Sequence, residues 1–176
     1  MKKIMMTLAA VLCCTMTTVL TSCGDDDKES EKTKKDQTPA YVQMTFTFKA
    51  TEDMLEYCDI TVKYNDGTGE KTETMTSTEW KKTVKVALPA NISFSKTVTL
   101  KADKDATSRD RIQYTNAYSY RYDILNAQSE DIDRSGSHTA GSSSACYGYM
   151  YPGAVNDGTF NRTFSYSFNE NGEMVE

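Results

Sequence analysis

Apolar and polar residues alternate along most of the chain after Ala40. Residues 42–48 carry Val, Met, Phe and Phe at every second position, with polar side chains between them. A period of two predicts an extended strand with one buried face. The same period, or a threonine-rich run typical of an edge strand, recurs at 58–64, 70–78, 80–88, 92–102, 112–124, 147–151 and 160–168.

Turn signals separate these stretches, and no segment of helical length repeats every 3.6 residues. Asn65-Asp66-Gly67 and Asn156-Asp157-Gly158 are typical of tight turns between strands. Residues 51–56 fit a helical turn or a loop, and residues 126–146 show no period and are expected to form a long loop. The pattern predicts an all-β fold, an antiparallel β-sandwich of seven or eight strands that is immunoglobulin-like or transthyretin-like, with a small β-barrel as the alternative.

The first 22 residues are organised differently from the rest. Lys2 and Lys3 precede residues 4–20, a run without charge that contains four threonines. A short positive region followed by an apolar run is typical of a secretory signal. A spanning helix is less favoured, because it needs roughly 20 mostly apolar residues.

Leu20-Thr21-Ser22-Cys23 ends this run and resembles the bacterial lipoprotein signal, an aliphatic residue followed by two small residues and a cysteine. The resemblance implies a signal peptide over 1–22 and attachment of diacylglycerol and an acyl chain such as palmitate to Cys23. Two or three chains would hold the protein at a membrane. The alternative is a plain cleavable signal followed by an incidental cysteine.

Residues 24–40 contain 10 charges and no large apolar side chain, which predicts a disordered tether between the lipid and the folded part. Asp25-Asp26-Asp27 resembles the export signal of surface lipoproteins of the Bacteroidota. This resemblance implies anchoring in the outer membrane, with exposure at the cell surface favoured over a periplasmic orientation. Acidic residues in this place are also compatible with retention at the inner membrane.

The remaining 41–176 has the length of one domain with one core. It carries 14 Lys+Arg and 19 Asp+Glu and no basic block, so a nucleic-acid partner is not expected. Cys58 and Cys146 are the cysteines that remain after Cys23. Outside the cytoplasm they are candidates for a disulfide, which would stabilise the domain by roughly 4–5 kcal/mol in the chain-entropy model. The alternative is two separate buried thiols.

Tyrosines near the end of the chain are candidates for ligand contact. Tyr147, Tyr149 and Tyr151 lie beside Gly148 and Pro152, in a setting typical of a loop. A tyrosine combines an apolar ring with a polar hydroxyl, which suits contact with sugars or peptides. Their alternative role is to fill the core. The preceding 126–146 loop is the other candidate place for a partner, since long loops are often functional.

Catalytic and metal-binding patterns are weak. His138 is the single histidine, which argues against a multi-histidine metal site, and Ser93–Lys96 fits S-x-x-K only on an alternating, strand-like segment. Acidic residues occur in two predicted loops, but neither spacing is that of a calcium loop: Asp103, Asp105 and Asp110, and Glu130, Asp131 and Asp133. We therefore expect neither a cofactor nor a metal.

These observations predict a lipid-anchored, non-catalytic binding module of the cell envelope, with a glycan or an envelope protein as ligand. The glycan is implied by the resemblance to surface lipoproteins. An alternative is a structural or accessory subunit of a surface appendage or outer-membrane assembly, where strand edges would pair with neighbours. The least favoured alternative is a small glycan hydrolase acting through a carboxylate pair.

Overall fold

Alternating residues form strands throughout the folded part of the chain. The structure, a computed structural model, describes residues 35–175. Its elements are, in chain order, β1 (Tyr41–Lys49), α1 (Glu52–Tyr57), β2 (Cys58–Asn65), β3 (Glu70–Thr74), β4 (Glu79–Ala87), β5 (Ala90–Leu100), β6 (Arg111–Thr115), β7 (Tyr118–Leu125), β8 (Asp131–Ala140), β9 (Ser143–Tyr147), α2 (Tyr151–Asn156), β10 (Arg162–Phe168) and β11 (Met174–Val175).

The strands form two large antiparallel sheets and one small ribbon. Sheet A has the order β4-β1-β7-β8, sheet B has the order β11-β10-β5-β2-β3, and β6 pairs with β9 in the ribbon. Neither large sheet closes into a barrel, and the fold is all-β and consistent with a sandwich, as predicted. Each helix has six residues, and no helix in the described part of the chain is long and apolar enough to cross a membrane.

The core lies between the two sheets, where their alternating apolar residues meet. Phe46 of β1 stacks on Phe94 of β5, with ring centroids 4.6 Å apart. Phe164 of β10 contacts Tyr118 of β7, with centroids 4.4 Å apart. β1 and β5 face each other at the middle of the sandwich, and their even-numbered residues from Val42 to Phe48 and from Ala90 to Val98 are buried.

Lys96 shares the inward-facing side of β5 with the apolar residues and does not interrupt the strand. Only 1% of it is exposed, and its Nζ donates to the backbone oxygen of Lys49 at 3.5 Å. No carboxylate in residues 35–175 lies within ion-pair distance of it. Burial, with a smaller contribution from the charge of Arg162, lowers the pKa of Lys96 to about 8. The alternation of β5 therefore places a cation in the core.

Three sequence predictions about the second half of the chain are wrong. The long strand expected at 112–124 is two strands, β6 and β7, which belong to different sheets. The expected loop at 126–146 contains β8 and β9. The short strand expected at 147–151 is a 3₁₀ turn over Gly148–Met150 followed by the first residue of α2. The alternation fails to predict β8 because it is an edge strand with most of its residues exposed on both sides, so neither face requires apolar side chains. The strand count is consequently eleven, not seven or eight.

The last residues of the predicted tether are ordered against the domain. Ala40 N–H donates to Leu125 O at 2.8 Å, and Asn126 Nδ2 donates to Asp36 O at 3.0 Å. Residues 35–40 are therefore fixed by hydrogen bonds to their backbone atoms, which do not require the apolar side chains that this segment lacks. The rest of the tether and the signal peptide lie outside the described residues.

Candidate binding site

The β6–β9 ribbon presents one face to the core and the other to solvent. The antiparallel register pairs Arg111 with Tyr147 and Gln113 with Ala145, so these four residues share the outer face. Ile112 lies on the opposite face and is fully buried. The ribbon thereby holds a guanidinium and an aromatic ring side by side at its exposed end.

Helix α1 forms the wall beside this outer face. Thr51 caps the helix by accepting from Met54 N–H at 3.1 Å, and its Oγ1 donates to Gln113 O at 2.6 Å. Asp53 Oδ2 accepts from Gln113 N–H at 2.6 Å, and Arg109 lies 3.5 Å from the same carboxylate. Two side chains of the helix start therefore satisfy both backbone groups of Gln113, and this fixes the distance between helix and ribbon.

An open cleft of about 410 Å³ lies between the helix and the ribbon. Seven residues line it: Thr51, Glu52, Asp53, Arg109, Arg111, Gln113 and Ala145. It contains carboxylates, guanidinium groups, an amide and a hydroxyl, and thus both donors and acceptors of hydrogen bonds. This mixture suits a neutral or weakly charged ligand rich in hydroxyl groups.

An aromatic platform adjoins the cleft. Tyr147 and Tyr149 are 48% and 69% exposed, and their rings stack with centroids 5.6 Å apart and planes at 16°. The guanidinium carbon of Arg111 lies 5.5 Å from the centroid of Tyr147, in cation–π contact. Two exposed rings, parallel to within 16°, therefore lie beside the Arg111 guanidinium.

The turn carrying the platform is held by a close backbone approach at Gly148. Gly148 N–H donates to Asp110 O at 3.2 Å, and a Cβ at this position would lie 2.1 Å from Arg109 O and 2.5 Å from Ala106 O. Only glycine fits here, because the facing atoms belong to the backbone and cannot rotate away. The glycine therefore sets the position of Tyr147 and Tyr149 relative to the cleft.

Tyr151 does not belong to the platform and has the alternative role of filling the core. It is fully buried at the start of α2, and its hydroxyl lies 3.4 Å from Cys58 Sγ. Burial raises the pKa of Tyr151 well above its usual value and also raises the pKa of the Cys58 thiol. Cys58 and Cys146 are two separate free thiols in the structure, which is the alternative to the candidate disulfide.

The other candidate groups do not assemble into a site. Within residues 35–175, no three His, Cys, Asp or Glu side chains are placed to hold a metal ion. Asp105 instead caps a 3₁₀ turn by accepting from Thr107 N–H, and Glu130 accepts from Asn126 Nδ2 at 3.1 Å. His138 is exposed, with Tyr118 Oη 3.5 Å from its Nε2. Cys23 lies outside the described residues.

Sequence reasoning missed the residues that line the cleft. They come from segments about 60 positions apart, and hydrogen bonds between Thr51, Asp53 and the backbone of Gln113 bring them together. The sequence offers one local signal for this cleft, which is Thr51 followed by two acidic residues. This pattern marks the start of a helix but does not show that the β6–β9 ribbon packs beside it. Comparison of the chain with protein-family models, curated proteins and solved structures finds no match to any of them.

Proposed function

We propose that this protein is a lipid-anchored, non-catalytic binding module of the cell envelope and that it binds a glycan at the cleft between α1 and the β6–β9 ribbon. The observation that carries the proposal is the stacked pair Tyr147 and Tyr149 beside a polar cleft. Sugar rings have apolar faces that pack on aromatic rings and hydroxyl edges that require donors and acceptors. The platform and the cleft offer these two surfaces side by side.

Binding without catalysis fits the placement of the acidic groups. Hydrolysis of a glycosidic bond requires two carboxyl groups on opposite sides of the sugar. The carboxylates lining the cleft, Glu52 and Asp53, occupy successive positions of α1 and thus lie on the same wall. Asp53 is further occupied by the ribbon backbone and by Arg109. The cleft is suited to holding a glycan intact.

The anchor in this proposal is Cys23, at the outer membrane and facing the cell surface. Its support is the sequence Leu20–Cys23 and the charged residues that follow. We expect Cys23→Ala to abolish incorporation of labelled palmitate and to release the protein from the membrane fraction. The measurement is metabolic labelling of cells producing either form. Continued labelling of the variant would remove the anchor from the proposal.

The glycan site is tested by removing the platform. We expect the double substitution Tyr147→Ala, Tyr149→Ala to weaken glycan binding at least tenfold, equivalent to about 1.4 kcal/mol, because the stacking surface is lost. The measurement is a polysaccharide array probed with the full chain, followed by titration of the glycans that bind.

The matched control is Tyr41→Ala. Tyr41 also lies under a cation, with Lys85 Nζ 4.3 Å from its ring centroid, but it is in β1 and does not line the cleft. We expect this variant to bind the glycan with the affinity of the wild-type protein. An array without any bound glycan, or equal binding by the platform variant, would contradict the proposed function.

A further inference from the structure

The two lateral sides of the sandwich differ in how their strand edges are protected. On one side, β3 has the sequence EKTET, and β4 carries lysines at 81, 82 and 85. Charged residues on edge strands are a common protection against pairing with another chain. On the other side, β10 is the edge of sheet B along Arg162–Tyr166, because β11 pairs only with Ser167 and Phe168. This stretch has a single charge, Arg162.

Backbone N–H and C=O groups of this stretch of β10 are directed to the open edge of sheet B, where a further strand could pair with them. Asn169 N–H donates to Glu173 O at 3.0 Å on the side of β11. Since backbone groups alternate sides along an antiparallel strand, Thr163 and Ser165 direct their N–H and C=O groups to the same side. No strand within residues 35–175 lies there to accept them.

Among the described residues, sheet B has no strand opposite β8 beside Arg162–Tyr166, and we call the space between β8 and this stretch of β10 the lateral groove. His138 lies on the inner side of β8, 5.8 Å from the ring of Tyr118 and 5.7 Å from that of Tyr120, yet it is exposed. Phe164 and Tyr166 of β10 are only partly buried on the other wall. An inward-facing residue is exposed here because sheet B has no strand opposite it.

The charge that β10 presents to the lateral groove is the guanidinium of Arg162. Arg162 donates through Nη1 to the backbone oxygens of Thr159 and Asn161 and forms no ion pair with a described carboxylate. Its register partner in β5, Lys96, is buried in the core and adds a second positive charge behind it. A ligand with a carboxylate near Arg162 would find no competing acid, whereas a basic one would be repelled.

We propose that an extended segment of a partner polypeptide adds to β10 beside Arg162–Tyr166, in line with β11 and opposite β8. Its backbone pairs with Thr163 and Ser165, its apolar side chains at alternate positions cover the aromatic rings of the lateral groove, and a carboxylate reaches Arg162. Addition of a strand to a free sheet edge is an established mode of peptide recognition. Residues 24–34 of this chain contain no apolar side chain, so their composition does not fit the segment.

The test is selection of a random dodecapeptide phage library against the immobilised full chain. We expect enriched peptides with apolar residues at alternate positions and an acidic residue towards one end. Ser165→Pro removes one outward N–H and is expected to weaken the selected peptides at least tenfold, whereas Ser165→Ala keeps that N–H and binds normally. His138→Glu, at an exposed position, places a negative charge in the lateral groove and is expected to weaken them severalfold.

Two outcomes would overturn the proposal. In the first, the selection enriches no peptides. In the second, the enriched peptides bind the Ser165→Pro and His138→Glu variants as tightly as they bind the wild-type protein. Self-association of the full chain that Ser165→Pro abolishes would identify a second copy as the occupant and exclude the partner segment. Should Ser165→Pro fail to fold, as judged by thermal unfolding, the His138→Glu result decides. The double substitution at Tyr147 and Tyr149 is expected to leave peptide binding unchanged. The peptide site and the glycan site are therefore tested independently of each other.

Discussion

Substituting Gly148→Ala is expected to lower the free energy of unfolding by about 3 kcal/mol, at the upper end for overpacking, because backbone must move to admit the new methyl group. The added carbon would lie 2.1 Å from Arg109 O. The turn can relieve this contact only by moving away from the segment that carries Arg109. We therefore expect Tyr147 and Tyr149 to shift from the cleft and glycan binding to fall with stability. Chemical denaturation measures the first effect and titration the second.

Gly153→Ala is the matched control, five residues further along the chain. A Cβ at this position meets nothing within 4 Å, and the residue lies in α2. Alanine is the better helix former by up to about 1 kcal/mol, so this variant should be as stable as the unchanged protein or slightly more stable. Equal stability of the Gly148→Ala and Gly153→Ala variants would show that the close packing of Gly148 against the backbone of Arg109 does not contribute to the stability of the fold.

Lys96→Met is expected to raise the free energy of unfolding at pH 7, which is opposite to the effect of Gly148→Ala. The folded protein holds Lys96 at a pKa of about 8, below its ordinary value of 10.5. This difference corresponds to about 3 kcal/mol lost by keeping the buried ammonium charged. Methionine preserves most of the volume of the side chain and has no charge to desolvate. The gain should therefore approach that value.

The pH dependence separates this cause from better packing. Between pH 8 and pH 10.5, the folded protein has released the Lys96 proton while the unfolded chain still binds it, so the unchanged protein gains stability as pH rises through this window. The variant lacks this gain. We expect the difference between the two proteins to be largest below pH 8 and to shrink towards pH 10, as measured by urea denaturation at successive pH values.

Lys81→Met provides the control, because Lys81 is exposed on β4. It should change stability by less than about 0.5 kcal/mol at any pH. A Lys96→Met variant that is less stable than the unchanged protein, or whose advantage does not vary with pH, would show that the charge of Lys96 carries little cost in the fold.

Alternation predicted the strands of the core well and missed the edge strand β8. β1, β2 and β5 have buried residues on one face, so their sequences show the period of two clearly. Even Lys96 follows this parity, because the strand cannot turn one residue outward without shifting all the others. β8 has an exposed outer face and an inner face on which Ile132 is the buried apolar residue, so no period of two shows in its sequence.

The candidate site was predictable only in part, for a physical reason. Tyr147 and Tyr149 stood out through their neighbours Gly148 and Pro152 in the sequence. Tyr151 was misplaced because Pro152 sits in the first turn of α2, a position that proline favours, and the helix turns Tyr151 into the core. The arginines and carboxylates of the cleft meet through hydrogen bonds over long sequence separation, which no local pattern records.

The length of β1 sets how far the cleft projects from the start of the folded domain. The strand begins at Tyr41, next to the ordered residues 35–40, and ends at Lys49, two residues before Thr51 of the cleft. Nine residues of antiparallel strand span roughly 30 Å. The cleft therefore opens near the end of β1 that lies opposite residues 35–40. A long polymer bound in the cleft would not meet the segment that leads into the folded domain.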